Sequence, residues 1–446
     1  MKRILISIFV LVAASVTIIS CGGSGSSSTT HKPSGLTFRV FISNPLFPTG
    51  IGGTGLNAPV LNIVNALQDE DVLSSSVVSL VGAVAQPELM AVSANLKFTL
   101  VYSPAGNSVA VVDNSTETIA AAAGTTSSLP TISLPGLTES LVVNQFATTA
   151  YAAVPTAAVT GQAPGAVEVL NLQNGSITAS IPVPGAHFVV LSPDGNHVLV
   201  FSDNSDVVTV ITTILVGTAT DPRSYVTGFD RPVWAIFTSN DSAYVLNCGL
   251  QCGGTAAGVS VFNLGASSPV STTPVSAATY GLLSGSNLYV AGTAPARPPG
   301  TNTCAGTTTA ATSCGRLSVI DTSSMTVTGS AIITDGYHDR MQVSQNGQLY
   351  IGSHSCTNIN ISGGEVRGCL SIFNTNSPGV AIPPNVGDVT GMQQITGRDI
   401  VYVIQNGALG IYDTDTNQLQ VTPGDTLNNN GQVDIVGPLF DVKLVD

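Results

Sequence analysis

Apolar residues in this chain gather in short runs rich in β-branched and aromatic types, separated by polar or Gly-containing turns. Lys97-Phe-Thr-Leu-Val-Tyr-Ser leads through a turn to a second run, Val109-Ala-Val-Val, which ends in Asp113. The same pairing returns as Ala243-Tyr-Val-Leu-Asn before Val259-Ser-Val-Phe-Asn263, and as Leu288-Tyr-Val-Ala before Leu317-Ser-Val-Ile-Asp321. It returns again as Val401-Tyr-Val-Ile-Gln before Leu409-Gly-Ile-Tyr-Asp413. Eight such units recur along the chain at a spacing of about 45–60 residues, which is how short-stranded blades repeat in a β-propeller. No long stretch carries apolar residues at 3.6 spacing, so a helical architecture is excluded.

One unit reads in full at residues 186–213. Ala186-His-Phe-Val-Val-Leu is an inner strand, Ser192-Pro-Asp-Gly a tight turn, and His197-Val-Leu-Val-Phe the second strand. Asp203-Asn-Ser-Asp is a polar turn into a third strand, Val207-Val-Thr-Val-Ile. After the third strand, Asp113, Asn171, Asp321 and Asp413 begin turns into an outer strand, where short polar side chains bond turn amides. Calcium is the sharper alternative for Asp203-Asn-Ser-Asp206 and for Asp425-Thr-Leu-Asn-Asn-Asn-Gly, but neither has the acidic spacing of a calcium loop. No metal site is expected.

The second strands begin near residues 39, 97, 149, 197, 243, 287, 348 and 400. Eight blades are therefore favoured, with seven the alternative. The first unit opens at a second strand, although Ala58-Pro-Val-Leu-Asn-Ile-Val-Asn fits its third. The last segment, from Gly437, reads as an inner strand with nothing after it. Joining the two closes the ring and removes both sheet edges, with Phe440, Val442 and Leu444 alternating as a half-buried strand requires. Tyr244-Val-Leu-Asn247, Val40-Phe-Ile-Ser-Asn44, Tyr402-Val-Ile-Gln-Asn406 and Tyr289-Val-Ala-Gly292 resemble the bacterial YVTN-type propeller repeat, across most of residues 38–446. The resemblance implies a propeller in the periplasm or at the cell surface, in a family whose rings usually have seven blades.

Composition adds the compartment. Charged residues are 9% and apolar residues 43%, with 46 Gly and 25 Pro, as suits a turn-rich exported β-protein. Lys2 and Arg3 precede an apolar stretch, Ile4 to Ile19, that is short for a spanning helix and fits an export signal. The stretch ends in Ile18-Ile19-Ser20-Cys21, which resembles a bacterial lipobox; the resemblance implies that Cys21 is lipidated and becomes the mature N-terminus. The expected organisation is a signal peptide at 1–20, a Gly/Ser-rich tether at 21–36 and the propeller at 37–446. Gly22 in place of Asp points to the outer membrane, facing either side. Removing 1–20 takes two of 13 basic residues and none of 26 acidic ones, so nucleic acid and anionic lipid surfaces are unsuitable partners. The membrane is engaged through the lipid, and a monomer is expected.

Six further cysteines form local pairs, Cys248/Cys252, Cys304/Cys314 and Cys356/Cys369, each in the insertion between two apolar strands of one unit, in three consecutive units. Disulfides suit an oxidising compartment. A zinc reading lacks four ligands in any one unit, and no haem-attachment motif occurs.

The innermost strand of each blade lines the channel, so residues near its start ring one mouth. Stepping back about eleven residues from each second strand returns Glu88, Glu139, His187, Trp234, Tyr280 and Asp339 as candidate binding residues, with Arg231, His338 and Arg340 beside them. Acids, His and aromatics around a concave polar mouth suit a cation or a hydroxyl-rich ligand. One Trp is too few for a quinoprotein propeller and five His too few for a copper one. No Gly-x-Ser-x-Gly elbow or P-loop occurs. The reading is a non-catalytic binding or surface scaffold with no cofactor, its ligand a protein or a saccharide. The alternatives are a lactonase-like hydrolase with His187 or His338 as base, and a structural envelope or adhesion module.

Overall fold

The computed structural model describes residues 33–48, 57–71, 77–294, 314–357, 359–360, 366–420, 433 and 435–446. Cys21, the signal segment, most of the tether, the 425–431 turn and Cys304 lie outside these residues. The unit Lys32–Asp446 is a ring of eight antiparallel sheets.

Each blade runs from an inner strand outward. Blade 2 begins at Met90–Val92, blade 3 at Ser140–Val143, blade 4 at Ala186–Leu191, blade 5 at Pro232–Phe237, blade 6 at Tyr280–Ser284, blade 7 at Tyr337–Val343 and blade 8 at Val389–Gln394. Their second strands are Phe98–Ser103, Thr149–Val154, His197–Ser202, Ser242–Asn247, Asn287–Ala294, Gln348–His354 and Ile400–Gln405. Each inner strand packs beside the next around the ring.

Blade 1 is assembled from both ends of the propeller. Arg39–Pro48 is its second strand and Asn57–Asn65 its third, while Val442–Leu444 supplies the inner strand, in register Val40 with Leu444 and Ile42 with Val442. Ser43 N–H donates to the Asp441 carbonyl at 3.0 Å and Val445 N–H to the Arg39 carbonyl at 3.1 Å. The seam is locked by charge. Buried Arg39 donates to both carboxylate oxygens of Asp446 at 2.7 and 2.8 Å and to Glu117 of blade 2 at 2.5 Å. Asp441, also buried, accepts from Met90 N–H at 2.8 Å, tying the closing strand to blade 2.

The continuous apolar runs follow from burial on both faces of every blade. Val40 and Ile42 pack against Tyr402 and Ile404 of blade 8, whereas Phe41 between them packs against Val101 and Val112 of blade 2. Val198 and Val200 face blade 3, and Leu199 and Phe201 face blade 5. The third-to-outer-strand turns are Asx turns. Asp113 accepts from Ser115 N–H at 2.8 Å, Asn171 from Gln173 N–H at 2.8 Å and Asp413 from Asp415 N–H at 2.9 Å.

Cys248–Cys252 and Cys356–Cys369 are disulfide-bonded, with Cα separations of 5.6 and 5.4 Å. Both staple the loop between second and third strands, which emerges on the face where the inner strands begin.

Cys314 departs from the sequence reading. The composition of its segment places it in the insertion of blade 6, with the third strand starting at Leu317. Instead Cys314 is the first residue of that strand, Cys314–Asp321, and its backbone pairs with Ala294. The reason is the length of the ladder, which continues from Leu317 through Arg316 and Gly315 opposite the end of Asn287–Ala294. The expected bridge from Cys314 to Cys304 lies outside the described residues, because Cys304 and the Cys314 side chain are not among what is described.

Candidate functional site

A repeated irregularity shapes that face. The inner strands of blades 4, 5, 7 and 8 each carry one unpaired extra residue near the start, between Ala186 and Phe188, Pro232 and Trp234, His338 and Arg340, and Val389 and Gly391. A β-bulge re-aims its side chain and increases local twist. The extra residues are His187, Val233, Asp339 and Thr390. In blade 2 the backbone of Tyr102 similarly serves two residues, accepting from Glu88 N–H and donating to the Leu89 carbonyl, both at 2.9 Å.

Val233 and Asp339, with Glu88 and Leu89 of blade 2, open into a cavity of about 590 Å³ to which every blade contributes: Glu88, Glu139, Phe188, Trp234, Tyr280, Asp339, Met392 and Lys443 each stand on a different one. Five of the six candidates read from the sequence, Glu88, Glu139, Trp234, Tyr280 and Asp339, therefore line one opening. The sixth, His187, lines an adjoining cavity of about 360 Å³ and reaches Glu139 at 3.1 Å.

One part of the wall is aromatic. The rings of Phe188 and Trp234 meet edge-on with centroids 6.2 Å apart, and Trp234 lies 5.2 Å from Tyr280. His187 stacks on Phe188 at 4.4 Å. Burial raises the Tyr280 and Tyr337 phenols above their ordinary range, so both stay protonated donors.

The polar part is paired charge. His187 Nδ1 lies 2.6 Å from Asp203 and Nε2 3.1 Å from Glu139. Burial lowers its pKa, but hydrogen bonds to the two carboxylates outweigh this and raise it to about 9. The ring is then an imidazolium donating through both nitrogens, and its bond holds the Glu139 carboxyl below the usual range. Asp339 Oδ2 receives Arg340 Nη1 and His354 Nε2, each at 2.6 Å, while Asp339 Oδ1 is buried without a hydrogen-bond partner. Glu88 is half-buried and desolvated, which raises its pKa.

His338, one of two candidate bases of the hydrolase alternative, is a core residue. It is fully buried, and its Nε2 lies 3.0 Å from the Thr334 carbonyl. Asp339 is the bulged residue, so His338 occupies the place that buried Ala186 takes in blade 4. Burial lowers its pKa to about 4, partly offset by that carbonyl. Asp203, His354 and Tyr337 were not among the expected site residues. Asp203 and His354 stand at or just past the ends of second strands, next to the inner-strand starts across the hairpin; a search at that second register would have returned them. Asp203 is engaged with His187, and Asp206 accepts from Arg231 N–H at 3.0 Å. Among the described residues no group of three or more His, Cys, Asp or Glu is placed to hold a metal ion.

No protein-family model matches the chain, and no curated protein matches it by sequence. Solved structures do match. The dihydro-heme d1 dehydrogenase NirN, solved in complex with DHE, is 12% identical with TM-score 0.59, over 93% of this chain and 79% of that one. The Dos1 propeller is 11% identical with TM-score 0.50, over 73% and 80%. The periplasmic gluconolactonase PpgL of Pseudomonas aeruginosa is 14% identical with TM-score 0.45, over 92% and 99%. At these identities the likeness to the first two establishes the propeller fold.

Proposed function

We propose that this protein is an exported, lipid-anchored propeller of the YVTN repeat type that binds a hydroxyl-rich ligand, a saccharide, at its channel mouth without transforming it. The observation that carries this reading is the two-sided cavity. Trp234 and Tyr280 line it with aromatic rings of the kind that pack on the C–H face of a sugar ring, and carboxyls from Glu88, Glu139 and Asp339 stand in the same space to accept from hydroxyls. The charges there are largely compensated within the protein, which favours a neutral ligand over an ion. Lipidation at Cys21 and the outer-membrane location rest on the lipobox and tether alone; loss of detergent-phase partitioning in Cys21→Ala is the expected result, and unchanged partitioning would remove the anchor.

Trp234 is the chain's one Trp, so binding reports itself. Titration with neutral mono- and oligosaccharides should shift Trp234 emission, and Glu88→Ala should weaken the response about tenfold. Silence of Trp234 toward every sugar overturns the reading.

One observation favours a second reading, a hydrolase. Asp339 orients His354 in the same cavity, an acid–His pair able to activate water. His187 is unsuited to that role, because an imidazolium clamped by two carboxylates has no lone pair to accept a proton. Turnover of a sugar lactone that disappears in His354→Gln would select the hydrolase.

A further inference from the structure

The smaller cavity shares Glu139, Phe188, Val233 and Tyr337 with the larger one, so the two adjoin. Each falls within the size range of a small-molecule site. The smaller one is built as a subsite. Cys252 of the Cys248–Cys252 disulfide forms part of its wall, and the loop beyond is pinned by Asp230, which accepts from Thr255 N–H at 3.0 Å and Ala256 N–H at 2.7 Å.

Arg231 is the distinctive residue of this space. Its Nε is buried and has no hydrogen-bond partner, and the nearest carboxylate oxygen, on Asp206, is 3.8 Å away. Its backbone is left-handed at φ 54°, a conformation that costs a non-Gly residue about 1–3 kcal/mol. The equivalent residue of blade 4, ahead of the same bulge, is Gly185 at φ 65°. A side chain held at a cavity wall where the neighbouring repeat uses glycine, with one donor the protein leaves unpaired, is what a ligand contact looks like. Asn204 and Ser205 add further polar groups to the same wall. The charges here nearly cancel, with His187 between Glu139 and Asp203 and Arg231 facing Asp206. A neutral, hydroxyl-bearing group fits better than an ion.

We infer that the mouth holds two consecutive sugar rings: one on the Trp234–Tyr280 wall, and the next in the smaller cavity, where a ring oxygen or hydroxyl accepts from the Arg231 guanidinium. The ligand is then a neutral oligosaccharide of at least two residues. This rests on the saccharide reading above and narrows it.

The test uses the intact chain and the Trp234 signal, comparing glucose with cellobiose and maltose, mannose with mannobiose, and galactose with galactobiose. In at least one series the disaccharide should bind about tenfold more tightly than its monosaccharide, the value of one hydrogen bond from a charged donor. Arg231→Gly, which installs the residue blade 4 already uses and so relieves the backbone, should bring the ratio of the two dissociation constants toward one. Monosaccharides that bind as tightly as their disaccharides in every series overturn the inference, as does a ratio unmoved by Arg231→Gly; in both cases saccharide binding itself stands. A signal from no sugar of any length overturns the saccharide reading, and a signal from a diamine such as putrescine alone points to a cation instead.

Discussion

The first strands of blades 4 and 7 each carry a histidine at the same approach to the channel, and the two residues do opposite things. His187 is the extra residue of its bulge; it stands at the cavity with a carboxylate on each nitrogen, and its pKa is raised to about 9. His338 sits one place before the extra residue of its bulge; it is buried with a single carbonyl acceptor, and its pKa is lowered to about 4. Two acceptors require two N–H donors and so favour the imidazolium. One acceptor requires one donor, and a second proton on His338 would be an unpaired donor in the core, since Nδ1 has no partner. Side chains alternate along a strand, so one register step separates a site residue from a core residue.

The comparison breaks most strongly at the core histidine. His338→Ala should lower unfolding free energy by about 3–4 kcal/mol, through the cavity created and the orphaned Thr334 carbonyl. Denaturant titration measures it, and a loss below about 1 kcal/mol would mean that the ring is not packed as described. His187→Ala should cost far less, since a quarter of its side chain is exposed.

Blade 7 also carries a disulfide-pinned loop where blade 4 has the short Asp203–Asp206 turn. The double variant Cys356→Ser, Cys369→Ser opens a loop of sequence separation 13 and should cost about 3 kcal/mol while leaving the ring closed. Loss of the folded ring would show that blade 7 cannot assemble without its staple.

The two histidines give opposite pH limbs. His187 holds a proton in the fold that the unfolded chain releases above 6.5, so its contribution is full below 6.5 and is lost as pH rises to about 9. His338 refuses a proton that the unfolded chain takes up, so its contribution is present above 6.5 and is lost as pH falls toward about 4. Melting temperatures should fall on both sides, with His187→Gln flattening only the alkaline limb. An unchanged alkaline limb in that variant would contradict the assignment.

The smallest effect is the most local. Asp203→Asn removes one of the two carboxylates and should move the His187 pKa down by about one unit, read by NMR of its ring protons, with little change in melting temperature. A pKa that stays near 9 would mean that Glu139 alone holds the proton.

Much of this molecule is legible in its sequence. Eight pairs of apolar runs set eight blades, because a strand buried on both faces must be apolar at successive positions, as Val40, Phe41 and Ile42 are. The orphan first and last strands required each other, because either alone leaves a sheet edge. Local cysteine pairs named their own disulfides at Cys248/Cys252 and Cys356/Cys369, because the hairpin that brings the ends together is itself local. Cys314 marks the limit of that reasoning: backbone pairing with Ala294 draws it into a strand, and the polar residues around it carry no sign of where the ladder ends. Repeat register also carried Glu88, Glu139, Trp234, Tyr280 and Asp339 to one opening, because equivalent positions in a closed ring share a face. What the sequence could not decide is anything that depends on a single register step or on groups from different blades meeting. A bulge shifts the phase without a motif to mark it, so His338 and His187 looked alike. The pairing of His187 with Glu139, the Asp339–His354 contact and the unpaired Nε of Arg231 arise only when strands from several blades converge on one channel. Tertiary structure alone sets those distances, and with them which groups the protein itself satisfies and which it leaves unpaired.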